Sequence, residues 1–370
     1  SCLATSVEEE DRVTDRPLRL PGPERGPVVE ITVRPHAGPI IVALALALRS
    51  PALLTGLHSS FVRLPGLLEV LARDRADAAC VVTAAAGSGV ILVADGSPVA
   101  AYARRRGEAA GEVAALGAGV ASFAPGERVM GRAAGAFAEY ALIDAREAIP
   151  VPARLSWEQA AAVPLVFMVV HDMLIGQGRL RAGEWLLVTG VSSGVGVGAL
   201  QAGKALGANV IGTSGSAAKL ARLAPLGLDL ALTTRKGDFH DAVLAATGGK
   251  GANLVVNTVG GSVFPECLRS LAFEGRLATV GHVDGVLRSE IDLEALHSKR
   301  LTLFGVSNRL RSAEQRSATV RGFAADLLPA IADGRIEPLI DRVFEFDQLP
   351  AAVDYMESDA QVGKIVVRMG

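Results

Sequence analysis

Eleven residues in the middle of the chain, Val188-Thr189-Gly190-Val191-Ser192-Ser193-Gly194-Val195-Gly196-Val197-Gly198, constrain the fold more than any others. An apolar run, Trp185 to Thr189, leads into them, and an Ala-, Leu- and Gly-rich segment, Val195 to Leu206, leads out. A buried strand that turns into a helix on glycines gathers backbone N–H groups and the positive end of the helix at one point, an arrangement that suits a diphosphate. The glycines also let helix and strand pack closely. The spacing is G-x-x-x-G-x-G rather than G-x-G-x-x-G, so the flanking strand and helix carry the reading. Its alternative is a plain strand-to-helix turn.

The same texture continues on both sides. Ser156-Trp157-Glu158-Gln159 opens a helix, with Ser156 as N-cap and an acidic first turn. Strands are expected at Asn209 to Gly212, Asn253 to Val256, Leu277 to Val280 and Leu301 to Val306, with helices at Ala217 to Leu223 and Asp238 to Thr247. Continuous apolar strands separated by helices predict an α/β architecture, a doubly wound parallel sheet covered on both faces. Upstream, from Pro17 to about Pro150, short β-like runs alternate with turns: Val28 to Val33, Gly89 to Val93 and Phe137 to Ile143. One helical patch, Leu67 to Arg75, interrupts them, and the first sixteen residues read as a loose tail.

At 370 residues the chain exceeds one ordinary core, so two domains are expected. The 37 Lys and Arg balance 39 Asp and Glu, which leaves no electrostatic footprint for nucleic acid or an anionic membrane. Three scattered cysteines, Cys2, Cys80 and Cys267, build neither a disulfide framework nor a structural zinc site. The longest apolar stretch, Ile40 to Leu48, is about half the ~20 residues of a membrane helix. The acidic opening, SCLATSVEEEDR, does not read as a signal peptide. A soluble, cytoplasmic protein is the expectation.

The segment after the second strand bears on the choice of ligand. A site selective for NAD places Asp or Glu there, on the ribose 2′-hydroxyl. Here Thr213-Ser214-Gly215-Ser216-Ala217-Ala218-Lys219 holds no carboxylate. Small hydroxyls and a lysine suit a 2′-phosphate, which favours NADPH, and Arg235 and Lys236 add positive charge after the next strand. The alternative for Lys219 is an ordinary solvated helix residue. A short-chain dehydrogenase also opens on a similar turn, but near its N-terminus and with a catalytic Tyr-x-x-x-Lys. Tyr102, Tyr140 and Tyr355 are followed four residues on by Arg106, Asp144 and Asp359, so none fits.

A mid-chain nucleotide fold behind a β-rich region resembles the medium-chain dehydrogenase/reductase superfamily, in particular its zinc-free NADPH:quinone oxidoreductase-like branch. Gly107-Glu108-Ala109-Ala110-Gly111-Glu112-Val113 is close to that branch's G-x-E-x-A-G-x-V signature. Phe123 to Val129, Ala136 to Tyr140, Ala160 to Leu165, the glycine turn and Val362-Gly363-Lys364-Ile365-Val366-Val367 follow in the expected order. Zinc-dependent relatives carry Gly-His-Glu at the first signature, where this chain has Arg106-Gly107-Glu108, so no metal is expected. Residues 1 to 106 match poorly, and Gly38 to Leu44 lacks the Asn and Asp that relatives place near the substrate.

The resemblance implies a GroES-like catalytic domain over 1–150, joined again by 336–370, and a Rossmann domain over 151–335. It implies Ser192, Ser193, Gly194, Val195 and Gly196 at the pyrophosphate, after Gly190. Ser214, Gly215, Lys219 and Thr234 would surround the adenosine phosphate, and Gly260, Val280, Gly281, His282, Gly305 and Val306 would line the nicotinamide. The implied reaction is hydride transfer from NADPH to a quinone or an enone, a small-molecule substrate. The alternatives are an enoyl-thioester reductase of lipid or polyketide type and a non-catalytic NADPH-binding relative. A homodimer through strands near Leu301 to Val306 is implied as well. No proton donor stands out: His171 reads as a cleft residue or as a packed helix histidine, and Tyr140 as structural.

Overall fold

The computed structural model describes residues 106–368, apart from 118, 135 and 137–140, together with the backbone of five strands between 28 and 103. Those five are β1 (Val28–Thr32), β2 (Leu57–His58), β3 (Ala78–Ala84), β4 (Gly87–Ala94) and β5 (Ser97–Ala103). They form one sheet in the order β2-β1-β3-β4-β5, antiparallel from β3 to β5. The tail at 1–16, the apolar run 40–48, the helical patch expected over 67–75 and Tyr140 lie outside the described residues. A second sheet joins β6 (Arg106–Glu112), β7 (Arg128–Ala134), β8 (Leu142–Ile143) and β9 (Ile149–Pro150), with β7 paired to each of the others.

Helix α1 (Trp157–Ala161) starts where the sequence predicts. The Ser156 side chain accepts from the Gln159 N–H, and the Gln159 side chain accepts from the Ser156 N–H. This reciprocal capping box satisfies two N–H groups that a helix start otherwise leaves bare. Pro164 opens α2 (Pro164–His171), which runs into a single wider π-type turn, Asp172–Gly176.

The nucleotide-type half follows: β10 (Trp185–Thr189), α3 (Gly194–Ala205), β11 (Asn209–Ser214), α4 (Ala217–Ala221), β12 (Leu230–Thr233), α5 (His240–Ala246), β13 (Ala252–Asn257), α6 (Phe264–Arg269), β14 (Leu271–Thr279), α7 (Leu293–Ser298) and β15 (Thr302–Gly305). Its six strands are all parallel, in the order β12-β11-β10-β13-β14-β15. Such an order starts at the centre and reverses direction beside β10, so helices cover both faces. Strand alternation then divides the core in two. Leu186, Val188, Val210, Leu254 and Val256 face one helical layer with Val197 and Leu200 of α3. Leu187, Ile211, Val255 and Leu277 face the other, with Val243, Cys267 and Leu268. Each fully buried aliphatic side chain there contributes about 1.5–3 kcal/mol. The apolar-throughout strands of the sequence are thus the two-faced strands of a parallel sheet.

Helices α8 (Ala313–Asp326) and α9 (Leu328–Ala332) lead to a small sheet of β16 (Ile340–Glu345) and β17 (Lys364–Arg368), with α10 (Leu349–Glu357) between them. Among the described residues no helix is long and apolar enough to cross a membrane.

Candidate dinucleotide site and relatives

The site is built at the C-terminal edge of the six-stranded sheet. Register aligns Thr189, Asn257, Thr279 and Gly305 in one row across β10, β13, β14 and β15, and pairs Ser214 with Thr233 across β11 and β12. Every loop leaving this edge therefore opens toward the same space, the crevice beside the topological switch point.

The glycine turn is held there by buried polar side chains. Gly190 takes φ +63°, a left-handed conformation, and a Cβ at that position would lie 2.6 Å from Thr258 Oγ1, so only glycine fits. Thr258 Oγ1 donates to the Thr189 carbonyl at 2.7 Å, and the Thr258 N–H donates to Thr189 Oγ1 at 3.2 Å. Ser193 caps α3 by accepting from the Gly196 N–H at 3.1 Å. A Cβ on Gly196 would come within 2.5 Å of the Gly190 carbonyl, and this close approach lets the helix start directly above the strand end. The Ser192 and Ser214 hydroxyls lie 3.2 Å apart, which joins the turn to the end of β11.

Asn257, fully buried, organises the neighbouring turn. Its Oδ1 accepts from the Val259 and Gly260 N–H groups at 3.0 and 3.1 Å, and its Nδ2 donates to the Gly260 carbonyl at 2.9 Å. Gly281 follows β14 and packs over Thr258, while Val280 N–H donates to the Asn257 carbonyl at 3.0 Å. His282 is exposed just beyond, and Val306 is buried, its N–H on the Thr279 carbonyl at 2.9 Å. Beneath Gly305, Gln177 Nε2 donates to its carbonyl and to Asp172 Oδ2, each at 3.2 Å, and Arg311 pairs with Asp172 Oδ1 at 3.2 Å.

Where the adenosine phosphate is expected, the residues divide. Ser214, Gly215 and Thr234 come together, the Thr234 N–H donating to the Ser214 carbonyl at 2.9 Å. Thr234 Oγ1 is itself occupied, accepting from the Lys236 N–H at 2.9 Å and donating to Asp238. Lys219 points elsewhere: its ammonium donates to the backbone carbonyl of Asp359. Arg235 lies across Gly215 instead.

Sequence reasoning assigned no role to Asn257, Thr258 or the pair Glu108–Lys364. The polar residues Asn257-Thr258 closing an apolar strand are the available signal for the first two. Lys364 Nζ lies 2.9 Å from Glu108 Oε2, its stem passes over Gly194, and the Gly363 N–H donates to the Ser192 carbonyl at 3.1 Å. The C-terminal strand is thereby tied to the glycine turn. His171 is buried between α2 and α8, with Nε2 2.8 Å from Asp326 Oδ2, a packed helix histidine.

Comparison with known proteins agrees with this architecture. Residues 76–153 match the family model described as alcohol dehydrogenase GroES-like domain, and residues 194–322 match that described as zinc-binding dehydrogenase. Among the described residues no group of three or more His, Cys, Asp or Glu side chains is placed to hold a metal ion.

The spectinabilin polyketide synthase system protein NorB of Streptomyces orinoci is 34% identical over 268 residues, which is 71% of this chain and 12% of that one. Erythronolide synthase EryA2 of Saccharopolyspora erythraea is 34% identical over 262 residues, 70% of this chain and 7% of that one. The chain therefore spans a small fraction of these relatives. Among solved structures, quinone oxidoreductase of Escherichia coli complexed with NADPH superposes with TM-score 0.64 at 28% identity, covering 72% of this chain and 82% of that one. CurK enoyl reductase gives 0.63 at 26%, covering 71% and 78%. With a six-stranded Rossmann sheet, the two family domains in order and these neighbours, the chain belongs to the medium-chain dehydrogenase/reductase superfamily.

Proposed function

We propose that this chain takes hydride from NADPH and delivers it, without zinc, to a quinone or to the C=C bond of an α,β-unsaturated carbonyl compound. The observation that carries the reading is the sheet's C-terminal edge, where a capped glycine turn stands beside a β11 end that carries hydroxyls and no carboxylate. NADPH supplies the hydride. Those N–H groups of the Ser192 to Gly196 turn that are not already bonded within it, as Ser193 and Gly196 are, hold its diphosphate together with the positive end of α3. Ser214 and Gly215 meet the adenosine ribose, and the Asn257-braced turns at Gly260, Val280 to His282 and Gly305-Val306 form the nicotinamide wall.

A conjugated acceptor spreads the incoming negative charge onto its oxygen, so the protein's work is positioning and a polar contact for that oxygen. A proton from solvent or a side chain then completes the saturated product. The remaining expectations belong to the same reading: a GroES-like domain over 1–150 with 336–370, a Rossmann domain over 151–335, and a homodimer formed along the β15 edge. A cytoplasmic setting suits the buried free thiol of Cys267, whose ionisation burial pushes far up.

A second reading, reduction of an enoyl thioester, is favoured by the polyketide synthase relatives and by CurK enoyl reductase. Val283, Val286 and Leu287, exposed just after β14, suit an apolar acyl group at the mouth. The test is NADPH oxidation followed by absorbance with quinones, enones and enoyl-pantetheine thioesters in parallel. Turnover of the first two classes supports the leading reading, and thioesters alone support the second. Tight NADPH binding without turnover on any acceptor identifies a non-catalytic relative.

A further inference from the structure

The adenosine end of the site holds two cations in different states. Lys219, on the five-residue helix α4, is committed: its ammonium donates to the carbonyl of Asp359, a residue held at φ +55° in the segment that links α10 to β17. Its backbone is committed too, the Lys219 N–H donating to the Ser216 cap at 3.3 Å. Arg235 is exposed and has no hydrogen bond or ion pair with any described residue. Its side chain nevertheless has a defined place. A Cβ added to Gly215 would fall 2.3 Å from Arg235 Nε and 2.7 Å from Cζ, so the Arg235 side chain occupies the space that the missing Gly215 side chain leaves. The nearest acid along the chain, Asp238, is engaged by Thr234 rather than by Arg235.

We infer that Arg235, and not Lys219, reads the 2′-phosphate of NADPH, and that Lys219 is a latch fastening the 358–363 segment to the nucleotide domain. The inference rests on the proposed NADPH site. A guanidinium presents a planar fork of N–H donors that matches phosphate oxygens in pairs, and with none of them used on a described residue Arg235 gives up no hydrogen bond there when it binds. Lys219 would have to release Asp359 first. Ser214 and the Gly215 backbone complete the cradle.

The experiment is fluorescence titration of the full chain with NADPH and with NADH, on the wild type and on Arg235→Met and Lys219→Met. NADH lacks the 2′-phosphate, so its affinity reports the rest of the site. Wild type is expected to prefer NADPH. Arg235→Met weakens NADPH by about 10- to 100-fold and leaves NADH unchanged. Lys219→Met keeps the NADPH-to-NADH ratio and makes the 358–363 segment more susceptible to limited proteolysis. Loss of the ratio in Lys219→Met, with Arg235→Met unaffected, overturns the assignment. Equal wild-type affinity for the two nucleotides overturns it while leaving the dinucleotide site standing, and binding of neither overturns both. Since Arg235 makes no hydrogen bond or ion pair with a described residue, Arg235→Met tests binding rather than folding; Gly215→Ala, which displaces the guanidinium, must act in the same direction.

Discussion

Arg276 and Arg235 stand at opposite edges of the same parallel sheet and show two uses of one side chain. Arg276, on β14 near the N-terminal edge, spends all five of its N–H donors inside the protein. It bonds the Gly178, Arg179 and Asn253 carbonyls and both oxygens of Glu184, the latter at 3.0 and 2.7 Å. Arg235, at the C-terminal edge, spends none on any described residue. A saturated guanidinium fixes structure, because every contact is lost when the side chain leaves. An unsatisfied one on a defined bed is free to meet a ligand without breaking anything. The edges also differ in their buried polar groups: Asn257, Thr258 and Thr189 lock loop backbone so that the space beyond stays open.

Substitutions test this contrast, and the largest effect is expected at Asn257. Asn257→Ala removes four hydrogen bonds, one of them from the Thr189 hydroxyl, from a fully buried site and should cost about 3 kcal/mol of stability in urea denaturation. Binding of both nucleotides should fall with it; full retention of binding would separate the turn at Gly260 from the site. Arg276→Met follows at about 2 kcal/mol, moderated by partial exposure of the ion pair. It should leave the NADPH-to-NADH ratio untouched, and a changed ratio would break the comparison.

Acid sharpens the same point. Burial opposes ionisation of Glu184, but the hydrogen bonds from Arg276 and from the Arg181 N–H more than offset it, and its pKa falls below the ordinary 4.5. A carboxylate with a lowered pKa stabilises the fold above 4.5, and that contribution disappears as pH falls through the folded-state value. Thermal melts of wild type and Arg276→Met should therefore be furthest apart near neutrality and draw closer below pH 4.5, the remaining gap reflecting the three carbonyl contacts.

Ser193→Ala, which deletes the α3 cap, is expected to cost about 1 kcal/mol. It should also weaken both nucleotides modestly, because the freed Gly196 N–H reorients. Smallest of all, Arg235→Met should change stability by less than about 0.5 kcal/mol, the reverse of its effect on NADPH affinity.

Much of the fold was legible in advance. The strand over Trp185–Thr189 is where the apolar run placed it, and α3 starts at Gly194, one residue before the expected Val195, because Ser193 rather than Gly194 caps it. Periodicity and capping are local, so a few residues suffice to specify them. Strand β14 was half missed. It begins at Leu271, but Phe273 and Glu274 are exposed and Glu274 is left-handed at φ +55°, which breaks the apolar pattern. Only pairing to β13, with a register shift between Ala252 and Leu254, makes the earlier part a strand. His171 had two local readings, and contact with Asp326, 155 residues away, distinguishes them.

By itself the sequence determined the strand-turn-helix, the two-faced parallel strands and the absence of a carboxylate after β11, since each follows from residue type and spacing along one short segment. The tertiary structure decided which cation is available. Lys219 stands at the helix position where sequence reasoning expects the phosphate ligand, yet Asp359, 140 residues onward, takes its ammonium. Arg235 lies against Gly215 only because β12 pairs beside β11. Backbone patterns are set by neighbours in sequence, whereas the free donors of a long side chain depend on what the rest of the chain brings within reach.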